Sequence, residues 1–282
     1  RPNNWQYPIN TFIGTATINM YGGSVTEMYG GCLGRNMSAI GGSSYNPIKC
    51  DSYFYGIVNI NISGGTVSQT IYGAGAGGVS GYSTNSTDAY KSYGQNIDTV
   101  ININITGGLI DADIYGGGYG YTNYLTADST QTDGGTLYGN SNINISGSPT
   151  INGSIYGGGR GYDLASNKPD LAQMEGESTL TISGSPTING SIYGAGMGLT
   201  NYENMAKFTG TTNININTDL SINAYGGGNI AKTIGTANIN INSGTHTQSI
   251  FGGGNVGVLE GTSNVQINGG ISSQVYGGGN QA

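Results

Sequence analysis

The chain has 282 residues, among them 54 glycines and 21 tyrosines, with only 8 basic against 15 acidic side chains and a net charge of −7. That balance argues against a nucleic-acid partner, whose phosphates call for a basic footprint. Charge is too sparse for a solvated disordered tail, glycine lacks the collagen period, and no run approaches the roughly 18 apolar residues of a membrane-spanning helix. No membrane insertion is expected. No leader segment is visible either, and the expectation is a processed piece of something longer.

Residues 1–20 fit no repeat cleanly. Trp5, Tyr7, Ile9, Phe12 and Ile13 suggest an N-terminal cap over an open end, as terminal repeats require. Residues 21–282 then read as one repeat domain. Its signature is Ile114-Tyr115-Gly116-Gly117-Gly118, which recurs around Tyr29, Tyr72, Tyr156, Tyr193, Tyr225, Phe251 and Tyr276. Successive aromatic positions differ by 43, 43, 41, 37, 32, 26 and 25 residues, so the minimum period is 25. A period of that size marks a solenoid.

Each unit begins with an alternating stretch such as Ile101-Asn102-Ile103-Asn104-Ile105, which predicts a strand with isoleucine inward and asparagine outward. A glycine- or proline-containing turn follows, for example Ser146-Gly147-Ser148-Pro149. Next comes a short strand bearing one apolar residue (Val67, Ile110, Ile151, Ile188, Leu220, Ile271), then the Ile-Tyr pair and its glycines. One unit cannot bury its apolar side alone; stacked units can, with strands about 4.8 Å apart. The fold class predicted is all-β: a right-handed parallel β-helix of about eight turns. Handedness here rests on the general behaviour of β-crossovers. Outward Asn61, Asn104, Asn144, Asn215 and Asn240 are expected to form amide ladders that pin the register.

The excess over 25 residues shrinks along the chain and falls just after the glycines. The insertions run approximately 32–55, 79–98, 119–138, 160–177 and 199–210, and insertions at one repeat position emerge on one face. They carry Tyr45, Tyr53, Tyr55, Tyr82, Tyr90, Tyr93, Tyr121, Tyr124, Tyr162 and Tyr202. The candidate ligand-binding residues are Tyr82, Tyr90, Tyr93, Tyr121, Tyr124, Tyr162 and Tyr202 of the insertions, with Tyr115, Tyr156 and Tyr193 of the repeat. The repeat tyrosines are expected to face outward and stack turn upon turn, either as a binding surface or as a covered structural ladder. The chain stops at a repeat (Tyr276 to Ala282) without a cap. More turns or a docking partner, another copy included, are the two expectations for that edge.

Catalytic and metal chemistry find little purchase. Cys32 and Cys50 are the only cysteines, lie near the two ends of the first insertion, and are read as a loop disulfide, with two unpaired thiols as the alternative. Asp111 and Asp113, with Asp128 and Asp133 near them, are the nearest approach to a calcium site, and solvated acids are the plainer reading. The single histidine, His246, occupies an inward register slot and reads as a core residue and not as a general base. The glycine runs have no following helix to hold a phosphate and read as corners. Sequons such as Asn36, Asn85, Asn152 and Asn189 arise easily in so Asn/Ser-rich a repeat. No enzyme, cofactor or metal is therefore expected.

The Asn-Ile-Asn-Ile-Ser-Gly-Gly and Ile-Tyr-Gly-Gly-Gly units, over roughly residues 14–280, resemble those of bacterial surface-exposed β-helix repeat proteins of the adhesin type. A thinner likeness is to the cellulose-attaching tapirins. The resemblance implies a secreted or cell-surface adhesive module that contacts polysaccharide or cell-surface glycan. The alternative is a filament or stalk that stacks end to end on copies of itself. Pectin-active lyases and hydrolases share the shape, but the Asp-Asp and Gly-His-Gly elements of the hydrolases are missing here.

Overall fold

The computed structural model describes residues 10–33, 35–37, 48–50, 52–77, 79–81, 99–120, 134–161, 171–202 and 204–281. Among them every regular element is a β-strand, and the chain winds through three parallel sheets, as a parallel β-helix does. The first sheet is built on the long strands Asn10–Met20, Ser52–Ile62, Thr99–Ile105, Leu137–Ile145, Met174–Ile182, Phe208–Asn217, Thr233–Ser243 and Leu259–Ile267, in that order. The second sheet joins Ser24–Val25, Thr66–Val67, Leu109–Ile110, Thr150–Ile151 and Thr187–Ile188. The third begins at Met28–Tyr29 and ends at Ile271–Tyr276, through one short strand per coil.

Alternation does what its period requires. Ile60, Ile103, Ile143, Leu180, Ile214 and Ile239 pair in register, and all are fully buried. Each such side chain contributes on the order of 1.5–3 kcal/mol by leaving water. Outside, the amides form the expected ladders: Asn61 donates to Asn19, Asn104 to Asn61 and Asn144 to Asn104, at 2.9–3.0 Å. Asn240 likewise donates to Asn215.

The long strands start earlier than the Asn/Ile alternation suggests. Phe54, Leu137, Met174 and Phe208 form a further buried column ahead of it. Between that column and the isoleucines stand Gly14, Gly56, Gly139, Gly176, Gly210, Gly235 and Gly261, every one at a φ between +128° and +151°. A Cβ at Gly210 would run into the Gly176 carbonyl oxygen, and one at Gly235 into that of Gly210. Glycine alone tolerates both the dihedral and the approach. Next in register comes a small column, in which Ser141 and Thr212 turn their hydroxyls to the Gly157 and Gly226 carbonyl oxygens at 2.7 and 2.6 Å. These buried hydroxyls brace the long sheet against the glycine corner.

Two boundaries differ from expectation. Asn10–Met20 pairs with Ser52–Ile62 over its whole length and is a rung of the long sheet, not a cap, because Ile13-Gly14-Thr15 repeats the glycine column. Trp5, Tyr7 and Ile9 lie outside the described residues. The second insertion also leaves from a different place. Val79–Gly81 adds itself to the long sheet between Ser52–Ile62 and Leu137–Ile145, so that residues 82–98 depart from within the sheet face and not from the corner.

Candidate functional site

The recurrent tyrosines do not present their faces to solvent. Tyr72, Tyr115, Tyr156, Tyr193, Tyr225 and Phe251 are all buried, Tyr115 to 1% exposure. With Tyr29 and Tyr276 they make one continuous stack, ring centroids 4.7–5.4 Å apart and planes within 4–12° of parallel. Of the two expected readings this is the covered structural ladder, which leaves Tyr115, Tyr156 and Tyr193 no open ring face for a ligand. They do point away from the isoleucine interior, but the next corner folds over them: Tyr119 stacks on Tyr72 at 5.1 Å, and Met197 packs against the same cluster.

The ladder's polar tips have dedicated partners. Two residues before each aromatic stands a polar side chain: Glu27, Thr70, Asp113, Ser154, Ser191, Asn223, Ser249 and Gln274. The Tyr29 hydroxyl donates to Glu27 at 2.9 Å and the Tyr115 hydroxyl to Asp113 at 3.0 Å. Where phenylalanine replaces tyrosine at 251, Ser249 donates to Gln274 instead. This polar column was readable in the sequence as a fixed offset from the aromatic. Burial raises the phenol pKa values of Tyr72, Tyr115, Tyr156, Tyr193 and Tyr225, and the Asp113 carboxylate adds to the effect at Tyr115. At Tyr72 the neighbouring Arg160 works against that rise without cancelling it. Arg160 donates to the Tyr72 hydroxyl oxygen at 2.8 Å, and its guanidinium lies 5.4 Å from the Tyr119 ring centre. The cation thus closes one side of the aromatic stack.

The remaining candidates divide. Tyr82, Tyr90, Tyr93, Tyr121, Tyr124 and Tyr162 lie outside the described residues, as do Asp128 and Asp133. Tyr202 is half-buried and packs against Leu171 and Met205, which anchors the fifth insertion to the end of the fourth. The third and fourth insertions leave the coil after Gly120 and Gly161 and return at Gly134 and Leu171, so both arise on one flank. Later coils close the same gap in a few residues, from Gly228 to Thr233 and from Gly254 to Leu259.

Asp113 accepts from both Tyr115 and the Ser154 backbone N–H, and Asp111 accepts from Asn152 at 2.6 Å. Both carboxylates therefore serve turn-to-turn bonding. Among the described residues no cluster of His, Cys, Asp and Glu has the makings of a metal site. His246 is buried, its Nε2 lying 3.1 Å from the Ser243 carbonyl oxygen, as a core histidine should. The Cys32–Cys50 bridge is not formed. Cys32 is a free thiol packed against the core, 3.6 Å from the Tyr53 carbonyl oxygen, and Cys50 belongs to a local antiparallel ribbon opposite Arg35. The Cys32 pKa is raised by burial.

Sequence reasoning also passed over Tyr138 and assigned Tyr53 and Tyr55 to a loop. All three sit on the outer face of the long sheet, half-buried, and the rings of Tyr53 and Tyr55 lie parallel with centroids 6.2 Å apart. Their inward neighbours Phe54 and Leu137 fix that orientation.

No protein-family model matches this chain, and no curated protein or solved structure matches it either.

Proposed function

We propose that the chain is a non-enzymatic, secreted β-helix module that holds a tyrosine-rich flank out for contact with a polysaccharide or cell-surface glycan. The observation that carries this reading is the difference between coils. The coil needs only the four residues between Gly228 and Thr233 to close, yet the register-equivalent gaps from Gly118 to Leu137 and from Gly159 to Met174 hold 18 and 14. Extra chain that closure does not require costs little to hold, since loop entropy rises slowly with length. It is also where contact residues concentrate on a rigid scaffold. Among the described residues, the non-enzymatic part is supported by Asp113, which accepts from Tyr115 and the Ser154 N–H, and by His246, which is buried in the core beside the Ser243 carbonyl.

The test is a trimmed chain in which 121–133 and 162–170 are replaced by Asn229-Ile230-Ala231-Lys232. It should keep its far-ultraviolet spectrum and lose at least tenfold in retention on a glycan array. Undiminished retention would remove the flank from the argument. A second reading, a stalk or filament, draws support from the unbroken aromatic column and from the amide ladders on either side of Met174–Ile182, which make a stiff rod. Concentration-dependent polymers in scattering or electron microscopy would favour it.

A further inference from the structure

The outer face of the long sheet is not uniform along its length. On its later strands the outward positions ahead of the asparagine columns hold Glu175, Glu177, Thr209, Thr211, Thr236, Glu260 and Thr262, with Ile234 the one apolar member. On the first strands the register-equivalent positions hold Ile13, Tyr55, Ile57, Val100 and Tyr138, with Thr15 and Asn140 at the ends of the second column. Ile13 and Ile57 are 59% and 41% exposed. An apolar patch on an outer face that elsewhere is mostly hydroxyl, amide and carboxylate marks a contact surface. Beside it run the ladders of Asn59, Asn102 and Asn142 and of Asn61, Asn104 and Asn144. Each amide spends one N–H and one oxygen lone pair on the ladder, which leaves a second donor and acceptor for whatever lies over the face.

Charge selects the occupant. From Thr11 to Asn19, Tyr53 to Asn61, Val100 to Asn104 and Tyr138 to Asn144, no outward side chain carries a charge; acids begin only at Glu175. A polyuronate or an acidic peptide would meet no counter-charge there. Aromatic rings flanked by rows of amide donors and acceptors suit a chain of neutral pyranose rings, whose apolar faces and hydroxyl edges alternate in the same way. We infer that this outer face, centred on Tyr55, Ile57 and Tyr138 and bordered by Asn102 and Asn142, binds a neutral polysaccharide. The inference rests on the carbohydrate-contact reading above and adds a contact on the sheet itself to the one on the insertions. Tyr53, Tyr55 and Tyr138 also have partners within the chain.

The whole chain is tested for depletion from solution by microcrystalline cellulose, chitin and insoluble xylan, with pectate as the anionic comparison. The variant is Tyr55→Thr/Tyr138→Thr, because Thr209 already occupies that column and shows that threonine fits it. Thr209→Ala/Thr236→Ala, on the later strands, is the control. The expected result is retention on at least one neutral polymer that survives 0.5 M salt on the order of the screening length collapsing to a few ångströms, falls at least tenfold in the tyrosine variant, and is unchanged in the control. Equal retention of the tyrosine variant overturns the inference, as does retention on pectate alone, or a wild-type dimer by light scattering that the same substitutions abolish. The trimmed chain separates the two readings: binding kept after trimming but lost in Tyr55→Thr/Tyr138→Thr supports the sheet face and rejects the flank, and the opposite pattern does the reverse.

Discussion

The glycine column of the long sheet makes the sharpest stability prediction, and Gly210→Ala is its test. At φ +137° an L side chain is strained by about 1–3 kcal/mol. The added Cβ also points at the Gly176 carbonyl oxygen, a backbone atom of the neighbouring rung that cannot swing aside. Forcing an extra carbon into close packing adds about 1–3 kcal/mol. The sum is about 2–6 kcal/mol, before any gain from stiffening the unfolded chain, which is about 0.4–1 kcal/mol for Gly→Ala. Gly22→Ala is the matched control: its φ lies outside the left-handed region and its Cβ would meet nothing within 4 Å. Guanidinium unfolding followed by circular dichroism should show a clear drop in midpoint for Gly210→Ala and none for Gly22→Ala. Coils in a solenoid contact only their neighbours, so the loss can also appear as a split transition. A Gly210→Ala midpoint equal to wild type would mean that the rungs can part at no cost, and the steric account of the column would be wrong.

Other outcomes follow from the aromatic stack and the free thiol. Tyr156→Ala removes a buried ring flanked at 4.7 Å on both sides and should cost about 3–5 kcal/mol, whereas Tyr156→Phe should cost only about 1 kcal/mol in the same denaturation assay. Phe251 already shows that the stack accepts a ring without a hydroxyl. The raised phenol pKa values mean that the neutral form is the one the fold stabilises. That contribution is complete below about pH 10, the unfolded value, and is lost as pH rises beyond it. Absorbance at 295 nm should therefore lag behind free tyrosine during alkaline titration and then rise together with loss of the β spectrum. Because Cys32 is unbridged, adding dithiothreitol should leave the unfolding midpoint unchanged. A fall of several degrees on reduction would show that a disulfide does form.

What could be read from the chain was whatever repeats with a fixed residue type. Ile103, Asn104 and the Tyr-Gly corner recur with the same chemistry, so their period gave both the sheet and its inward face. The first half of each long strand escaped because its inward column changes identity from Phe54 to Leu137 to Met174 to Thr233, and the glycine that follows looks like a loop residue. Burial of the tyrosines was legible only as one of two readings. Their cover comes from Tyr119, Arg160 and Met197, which lie in register with one another but share no residue type. Cys32 and Cys50 illustrate the reverse error, in which nearness to the two ends of a loop was taken for a bridge that the free Cys32 thiol does not make.

The unlike residues have a use that the like ones cannot supply. A stack of near-identical rungs is open to slippage by a whole coil, since isoleucine would still meet isoleucine and asparagine would still meet asparagine. Arg160 donates to the hydroxyl oxygen of Tyr72, 88 residues earlier, whereas a shift of one coil would offer it Tyr29 or Tyr115, whose hydroxyls are already paired with Glu27 and Asp113. Asn213 donates to Glu177 at 2.6 Å where every neighbouring ladder has an asparagine. Ser154 N–H meets the Asp113 carboxylate, while one coil later Ser191 N–H meets the Ser154 hydroxyl. Each such pair is correct in only one register. The repeated columns thus supply the attraction between coils, and the exceptions decide which coil each one joins, so that the apolar outer patch and the long insertions are always assembled at the same end of the rod.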